Sequence, residues 1–167
     1  VRVAQADYFV QDGFGVIHRA HASTHAVTSL LPSVAGLLIE KEYNTITKSM
    51  ENPKRPFVAV LGGAKVGDKI QIVERLVKMA DTILVGGVMA NTFLAYKGVH
   101  VGASNVEADQ KETLDAIYDA ARKKVGDNVD EFIVLPTDLA VATKMDDSEK
   151  RLNQQLDRIK IDEMALD

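Results

Sequence analysis

Asp7-Tyr8-Phe9-Val10 has the apolar run of a short strand, and the stretch after it, Gln11 to Thr24, is too rich in Gly, His and small residues to continue it. A polar loop is expected there. From Val34 to about Met50 apolar residues recur at Val34, Leu37, Leu38, Ile46 and Met50, which predicts one long helix with Ser33 as its N-cap and Asn52-Pro53 as its stop. Lys54-Arg55-Pro56 resets the chain before Phe57-Val58-Ala59-Val60-Leu61, a continuous apolar run of the kind a buried parallel strand shows.

Beyond that point short apolar runs alternate with helical periods. Lys69 to Ala80 places Ile70, Val73, Val77 and Ala80 on one helix face; Thr82-Ile83-Leu84-Val85 reads as a second strand and Met89 to Lys97 as a second helix. Leu114, Ile117, Tyr118, Ala121 and Val125 make a third, strongly amphipathic helix within Ala108 to Val125, and Glu131 to Leu135 reads as a third strand closed by Pro136. This alternation implies βαβ units around a parallel sheet. Leu139-Ala140-Val141-Ala142 reads as another short strand, and Asp146 to Asp157 as a charged, loosely helical surface stretch.

Composition narrows the classes. With 46% hydrophobic and 26% charged residues in 167 positions, the chain is neither disordered nor fibrous. Its 20 basic and 24 acidic side chains leave a net charge of −4, which argues against a dedicated nucleic-acid or anionic-membrane binder. The absence of cysteine excludes a disulfide scaffold and thiol catalysis and fits a reducing cytoplasm. No apolar run approaches the roughly 20 residues of a membrane span. The N-terminal Val1-Arg2-Val3-Ala4-Gln5 has neither an initiator Met nor a signal-peptide layout, so the chain is expected to begin inside a longer one.

The most informative local feature is Leu61-Gly62-Gly63-Ala64-Lys65-Val66-Gly67-Asp68-Lys69, between a predicted strand and a predicted helix. Ligands of open parallel sheets bind outside the C-terminal strand ends, where glycines let a phosphate or a flat ring approach the backbone. Lys65 and Lys69 are four positions apart, so a helix beginning near Lys65 would send both ammonium groups from one face toward one anion. The P-loop pattern is not met, because Asp68-Lys69 stands where Lys and Ser/Thr should follow the second glycine, and the dinucleotide pattern G-x-G-x-x-G is absent. Phosphate binding and a tight turn with two solvated lysines both remain open. Gly86-Gly87 ends the next predicted strand and puts a second backbone-exposing turn on the same sheet edge, which favours a flat ligand across the two.

His18-Arg19-Ala20-His21-Ala22-Ser23-Thr24-His25 gathers three of the four histidines. Their spacing would permit a metal, but no acidic residue lies between Asp12 and Glu40 to complete a shell. Anion recognition by the Arg19 fork with flanking imidazoles is one reading; a polar loop whose histidines satisfy backbone carbonyls is the other.

Taken together, Asp12-Gly13-Phe14-Gly15 with His18-Arg19-Ala20-His21-Ala22-Ser23, Pro32-Ser33-Val34-Ala35-Gly36 with Glu40-Lys41-Glu42, Arg55-Pro56-Phe57, the Gly62 to Lys69 turn and Gly86-Gly87-Val88-Met89-Ala90 resemble phosphoglycerate kinase, in order and over nearly the whole chain. The look is bacterial. The resemblance implies a two-domain α/β kinase, Rossmann-like and three-layered in its C-terminal part, with a parallel sheet and flanking helices. It transfers a phosphoryl group reversibly between 1,3-bisphosphoglycerate and ADP, giving 3-phosphoglycerate and ATP. Residues 1–33 would end the substrate domain, 34–53 form the interdomain helix and 54–167 open the nucleotide domain.

On this mapping Arg19 is similar to the family's substrate-phosphate arginine, with His18 beside it and Gly15 in the same loop. Lys69 resembles the lysine on the transferred phosphoryl group and Lys65 its neighbour on the nucleotide phosphates. Gly63, Ala64, Gly86 and Gly87 would line the adenosine site, and Ala165-Leu166 resembles another adenine-contacting stretch in which Ala165 replaces a family glycine. Gln11-Asp12-Gly13, Gly67 and Val88 also depart from the usual family residues. Mg2+ with ATP or ADP is the implied cofactor, its main acidic residue expected outside this chain; no metal ligand is assigned within it. The implied enzyme is a cytoplasmic monomer, without nucleic-acid or membrane partners. The chain is expected to be a central fragment, inactive alone, the alternative being a stand-alone adenine-nucleotide-binding module without catalysis.

Overall fold

A computed structural model describes residues 6–67, 70–146 and 150–166. The chain divides into two units, Val1–Lys54 and Arg55–Asp167.

In the first unit two short strands, β1 (Phe9–Gln11) and β2 (Ser33–Ala35), pair in parallel with Val10 opposite Val34. Between them the chain is held by 3-10 turns at Phe14–Val16 and Ala26–Ser29. Helix α1 spans Leu37–Glu51, three residues later at its start than the apolar recurrence predicts. The reason is tertiary: Val34 is drawn into the strand pair, and the Ser33 hydroxyl donates to the Leu31 carbonyl instead of capping a helix. The cap comes from a distance. Oδ1 of Asp12 accepts the Leu38 and Ile39 amides at 2.8 and 3.1 Å, satisfying two donors that a helix start leaves open. Gly36 stands at the N-cap, and a methyl there would lie 2.4 Å from Cγ of Asp12, so a glycine is what lets the carboxylate reach the helix. Of the residues of α1 only Ile39 is buried; Leu37, Tyr43 and Ile46 are exposed.

The second unit opens with an anchor at the base of its sheet. Asp81 accepts the Phe57 amide at 2.6 Å and the Arg55 guanidinium at 2.8 Å, and these two contacts hold its carboxyl below the usual aspartate value. Strands β3 (Val58–Leu61), β4 (Thr82–Val85) and β5 (Ile133–Val134) form a parallel sheet in the order β3-β4-β5. Alternation along the strands sorts the two faces. Ala59, Leu61, Ile83, Val85 and Ile133 join one buried cluster with Val73 and Val77 of α2 (Ile70–Met79), Met89 and Phe93 of α3 (Gly87–Tyr96), and Leu114 and Ile117 of α4 (Lys111–Val125). Each Val, Leu, Ile, Phe or Met side chain among them, where fully buried, contributes about 1.5–3 kcal/mol. Val58, Val60 and Leu84 point the other way and are exposed, Val60 by 75%.

Lys124 closes the far end of α2. Its ammonium donates to the Val77 carbonyl at 2.8 Å and to the carbonyls of Lys78 and Ala80, while standing over the Phe132 ring. Carbonyls at a helix C-terminus attract a cation; partial burial meanwhile pushes the ammonium below its usual pKa. Behind the sheet Tyr96 and Tyr118 stack at 5.4 Å, and the Tyr96 hydroxyl donates to Asp115.

Three further predictions are corrected. The run at Glu131 begins inside a short helix, α5 (Val129–Phe132), leaving only Ile133–Val134 as strand; Val129 and Phe132, three apart, both turn into the core. The helix predicted from Ala108 begins at Lys111. Leu152–Gln155, within the stretch predicted as loosely helical, is strand β7, paired antiparallel with β6 (Asp138–Ala142); β8 (Met164–Ala165) completes a second sheet in the order β7-β6-β8. Pairing to a neighbour, rather than apolar alternation, makes Leu-Asn-Gln-Gln a strand. Residues 147–149 of that stretch lie outside the described residues. Among the described residues no helix is long and apolar enough to cross a membrane.

Candidate functional site

Strands β3 and β4 are parallel neighbours with Leu61 opposite Val85, so the turns that leave their C-terminal ends start side by side. Backbone hydrogen bonds then lock the turns together. The Gly86 amide donates to the Leu61 carbonyl and the Met89 amide to the Gly63 carbonyl, both at 2.8 Å. A methyl added to Gly62 would lie 3.9 Å from the Gly86 carbonyl oxygen, so the two glycine pairs are in van der Waals range. Gly63 has φ +111° and Gly87 φ +62°, conformations that side chains other than glycine's seldom allow. Gly86 is the N-cap of α3, which brings the positive end of a ten-residue helix to the same edge.

Gly63, Ala64 and Lys65 are exposed along this edge. Lys65 is not helical: the first described residue of α2 is Ile70, so the geometry of two lysines on one helix turn does not apply to Lys65. Asp68 and Lys69 lie outside the described residues. The turn's inner side is built differently. Val66 is fully buried, and its amide donates to Oε2 of Glu107 at 2.5 Å; the Gly67 amide makes a longer contact, 3.4 Å, with the same oxygen. Glu107 is itself fixed from α3, because its amide donates to Oγ1 of the buried Thr92 at 3.0 Å. Asn91, beside Thr92, donates from Nδ2 to the Asn105 carbonyl and ties down the same loop. Sequence reasoning missed Glu107, which stands 41 positions from Val66 in a polar loop with no local signature.

The histidine–arginine segment lies in the first unit. Gly15 falls in the first 3-10 turn, and Gly15, His18 and Arg19 are all exposed. The Arg19 amide donates to the Val16 carbonyl, and the Arg19 carbonyl accepts from the His21 amide and from Oγ1 of Thr24 at 2.5 Å. Backbone amides and the side chains of Gln11, Thr24 and Thr28 fill the described carbonyl contacts of this loop, and the three exposed imidazoles fill none of them. Among the described residues no three His, Cys, Asp or Glu side chains converge on a metal position.

Ala165 and Leu166 sit apart from the glycine turns in the bonding pattern. Ala165 pairs with Val141 of β6 and donates its amide to Oγ of Ser104, while the Leu166 amide donates to the Ala140 carbonyl. Among the described residues no hydrogen bond joins these two residues to Gly63, Ala64, Gly86 or Gly87. Glu163 just before them is buried, its carboxylate accepting the Lys160 amide at 2.9 Å, and that bond holds it below the usual glutamate value.

Comparison with known proteins agrees with the motif order. The family model described as phosphoglycerate kinase matches residues 2–167. The phosphoglycerate kinase of Desulforudis audaxviator is 49% identical over 156 residues, covering 93% of this chain and 38% of its own length. That of Desulfosudis oleivorans is 46% identical over 166 residues, covering 98% of this chain and 40% of the relative. Among solved structures, phosphoglycerate kinase from Coxiella burnetii superimposes with a TM-score of 0.79 at 35% identity, over 97% of this chain and 41% of that one. The chain therefore spans about two-fifths of the length of the relatives it matches. With a match along nearly every residue and the glycine turns joined at the sheet edge, the chain belongs to the phosphoglycerate kinase family.

Proposed function

We propose that the full protein containing this chain transfers a phosphoryl group reversibly between 1,3-bisphosphoglycerate and ADP, giving 3-phosphoglycerate and ATP. The observation that carries the reading is the bond from the Met89 amide to the Gly63 carbonyl, which makes one surface of two glycine turns at the C-terminal edge of a parallel sheet. Gly63, Ala64, Gly86 and Gly87 receive the adenosine there, Lys65 meets the nucleotide phosphates, and Lys69 the phosphoryl group in transit. Ala165 and Leu166 belong to the wall of the adenine pocket in this reading.

In the first unit Arg19, with His18 and Gly15, takes the phosphate of the triose substrate. Residues 1–33 end the substrate domain, 34–53 connect the domains, and 54–167 begin the nucleotide domain. Closure about that connection excludes water that would hydrolyse the acyl phosphate. The attacking group is an ionised carboxylate or phosphate, so the chemistry calls for positioned cations rather than a general base: charge spreads over the equatorial oxygens in the transition state, and fixed cations stabilise it. Mg2+ neutralises nucleotide phosphates in such reactions and is typically held by one or two carboxylates plus those phosphates. The described residues contain no cluster of three ligands for it, and no residue of this chain is assigned to it.

The exposed apolar positions Val58, Val60 and Leu84 on one sheet face favour a part of a larger enzyme over a stand-alone nucleotide module, which would leave that face in water. In this reading the enzyme works in the cytoplasm as a monomer. In the full protein, Lys69→Ala should cut turnover strongly and Arg19→Ala should raise the KM for 3-phosphoglycerate; wild-type kinetics in both would refute these roles.

A further inference from the structure

Glu107 comes from the loop between α3 and α4, yet its carboxylate ends among the backbone amides of the turn between β3 and α2. Consecutive amides that converge on one oxygen form a small anion cradle, the kind of site that also suits a phosphate. A protein carboxylate in such a cradle either competes with the nucleotide or shapes the turn that receives it. Burial separates the two. Val66, whose amide makes the short bond, is fully buried, whereas Gly62, Gly63, Ala64 and Lys65 are exposed. The carboxylate occupies the inner amides and leaves the outer stretch accessible.

The anchor of Glu107 links it to the second glycine turn. Thr92, which accepts the Glu107 amide, lies on α3, and α3 begins at Gly87. The inner amides of one turn are therefore referred to the helix that starts in the other, in parallel with the direct bond from Met89 to Gly63. The approach does not depend on a glycine at 67, because a methyl there would lie 3.4 Å from Oε1 of Glu107 and 3.4 Å from Nε2 of Gln110, an ordinary contact distance.

We propose that Glu107 is a positioning residue for nucleotide binding: held from α3 through Thr92, it fixes the Val66 and Gly67 amides so that residues 62–65 keep the shape that meets the nucleotide phosphates. The inference rests on the nucleotide reading given above. It acts through backbone geometry, so Glu107 touches no reacting atom.

The test uses the full protein, with steady-state KM for ADP and for 3-phosphoglycerate, ADP titration, and thermal unfolding. Hydrogen bonds to a charged acceptor are strong enough that Glu107→Ala should raise the nucleotide KM and Kd about tenfold or more. The KM for 3-phosphoglycerate should not move. Glu107→Gln keeps one acceptor oxygen without the charge, and should show a smaller rise of about threefold. Tighter nucleotide binding in either variant would mean competition and overturn the proposal, as would a lower Tm with unchanged nucleotide KM. If Glu107→Ala fails to fold, Glu107→Gln and Thr92→Val decide: an unchanged nucleotide KM in both refutes it. A wild-type protein that binds no nucleotide refutes the functional reading and this inference together; a wild type that binds, with unaltered variants, refutes this inference alone.

Discussion

The Met89 amide donates to the carbonyl of Gly63 at 2.8 Å, so the first turn of α3 and the turn after β3 are one hydrogen-bonded surface rather than two adjacent loops. Gly63 reaches that position at φ +111°. Placing a side chain at such a φ costs on the order of 1–3 kcal/mol. Gly63→Ala should therefore weaken nucleotide binding and raise amide exchange at Met89 of α3, with exchange in α4 unchanged. Wild-type protection at Met89 would show that the carbonyl keeps its place without glycine.

Asp12 caps a helix that begins 25 residues later. Asp12→Ala leaves the Leu38 and Ile39 amides without that acceptor, and loss of an N-cap of this kind costs about 0.5–2 kcal/mol. Hydrogen exchange should speed up at those two amides first. Gly36→Ala should produce the same pattern, because its methyl would collide with the carboxyl carbon of Asp12; unchanged exchange in both variants would remove Asp12 from the role.

Asp81 sets an acid response. Its folded pKa is lowered from 3.8 by the Phe57 amide and then Arg55, so the stabilisation is present above that ordinary value and is lost as pH falls through the lowered one. Asp81→Asn should be less stable than the wild type at neutral pH and lose less on acidification, the two converging at the acidic end. Parallel acid-unfolding curves would contradict the linkage.

Tyr118 presents the reverse case. Its side chain is buried beside Phe93 and Tyr96, and among the described residues its hydroxyl has no hydrogen-bond partner. Burial is also the main cause that raises its pKa. An unsatisfied buried hydroxyl costs roughly 1–3 kcal/mol, so Tyr118→Phe should be neutral or stabilising by up to about that amount in denaturant unfolding. A marked loss of stability would reveal a partner for the hydroxyl.

Strands β3 and β4 and the glycine turns that follow them are legible because their signals are local. Thr82–Val85 is a strand over the four residues that its apolar run marks, and Gly62-Gly63 and Gly86-Gly87 end two paired strands. What the sequence hides is set by contacts across the chain. Ser33 has the residue type of an N-cap, but Val34 pairs with Val10 and the capping oxygen belongs to Asp12. Glu107 looks like any loop glutamate until Val66 is seen to need an acceptor. Leu152–Gln155 shows no apolar alternation because its register comes from the backbone of β6.

The joined glycine turns and Lys65 are proposed to form the nucleotide-phosphate site of a phosphoglycerate kinase. The decisive measurement is ATP-dependent phosphorylation of 3-phosphoglycerate by the full protein and its Lys65→Ala variant, with circular dichroism as the check on folding. The wild type should turn over, and the folded variant should lose about tenfold or more in kcat/KM for ATP, the scale expected when a charged contact to phosphate is removed. Wild-type kinetics in a folded Lys65→Ala protein, or no phosphoryl transfer by the wild type, would contradict that assignment.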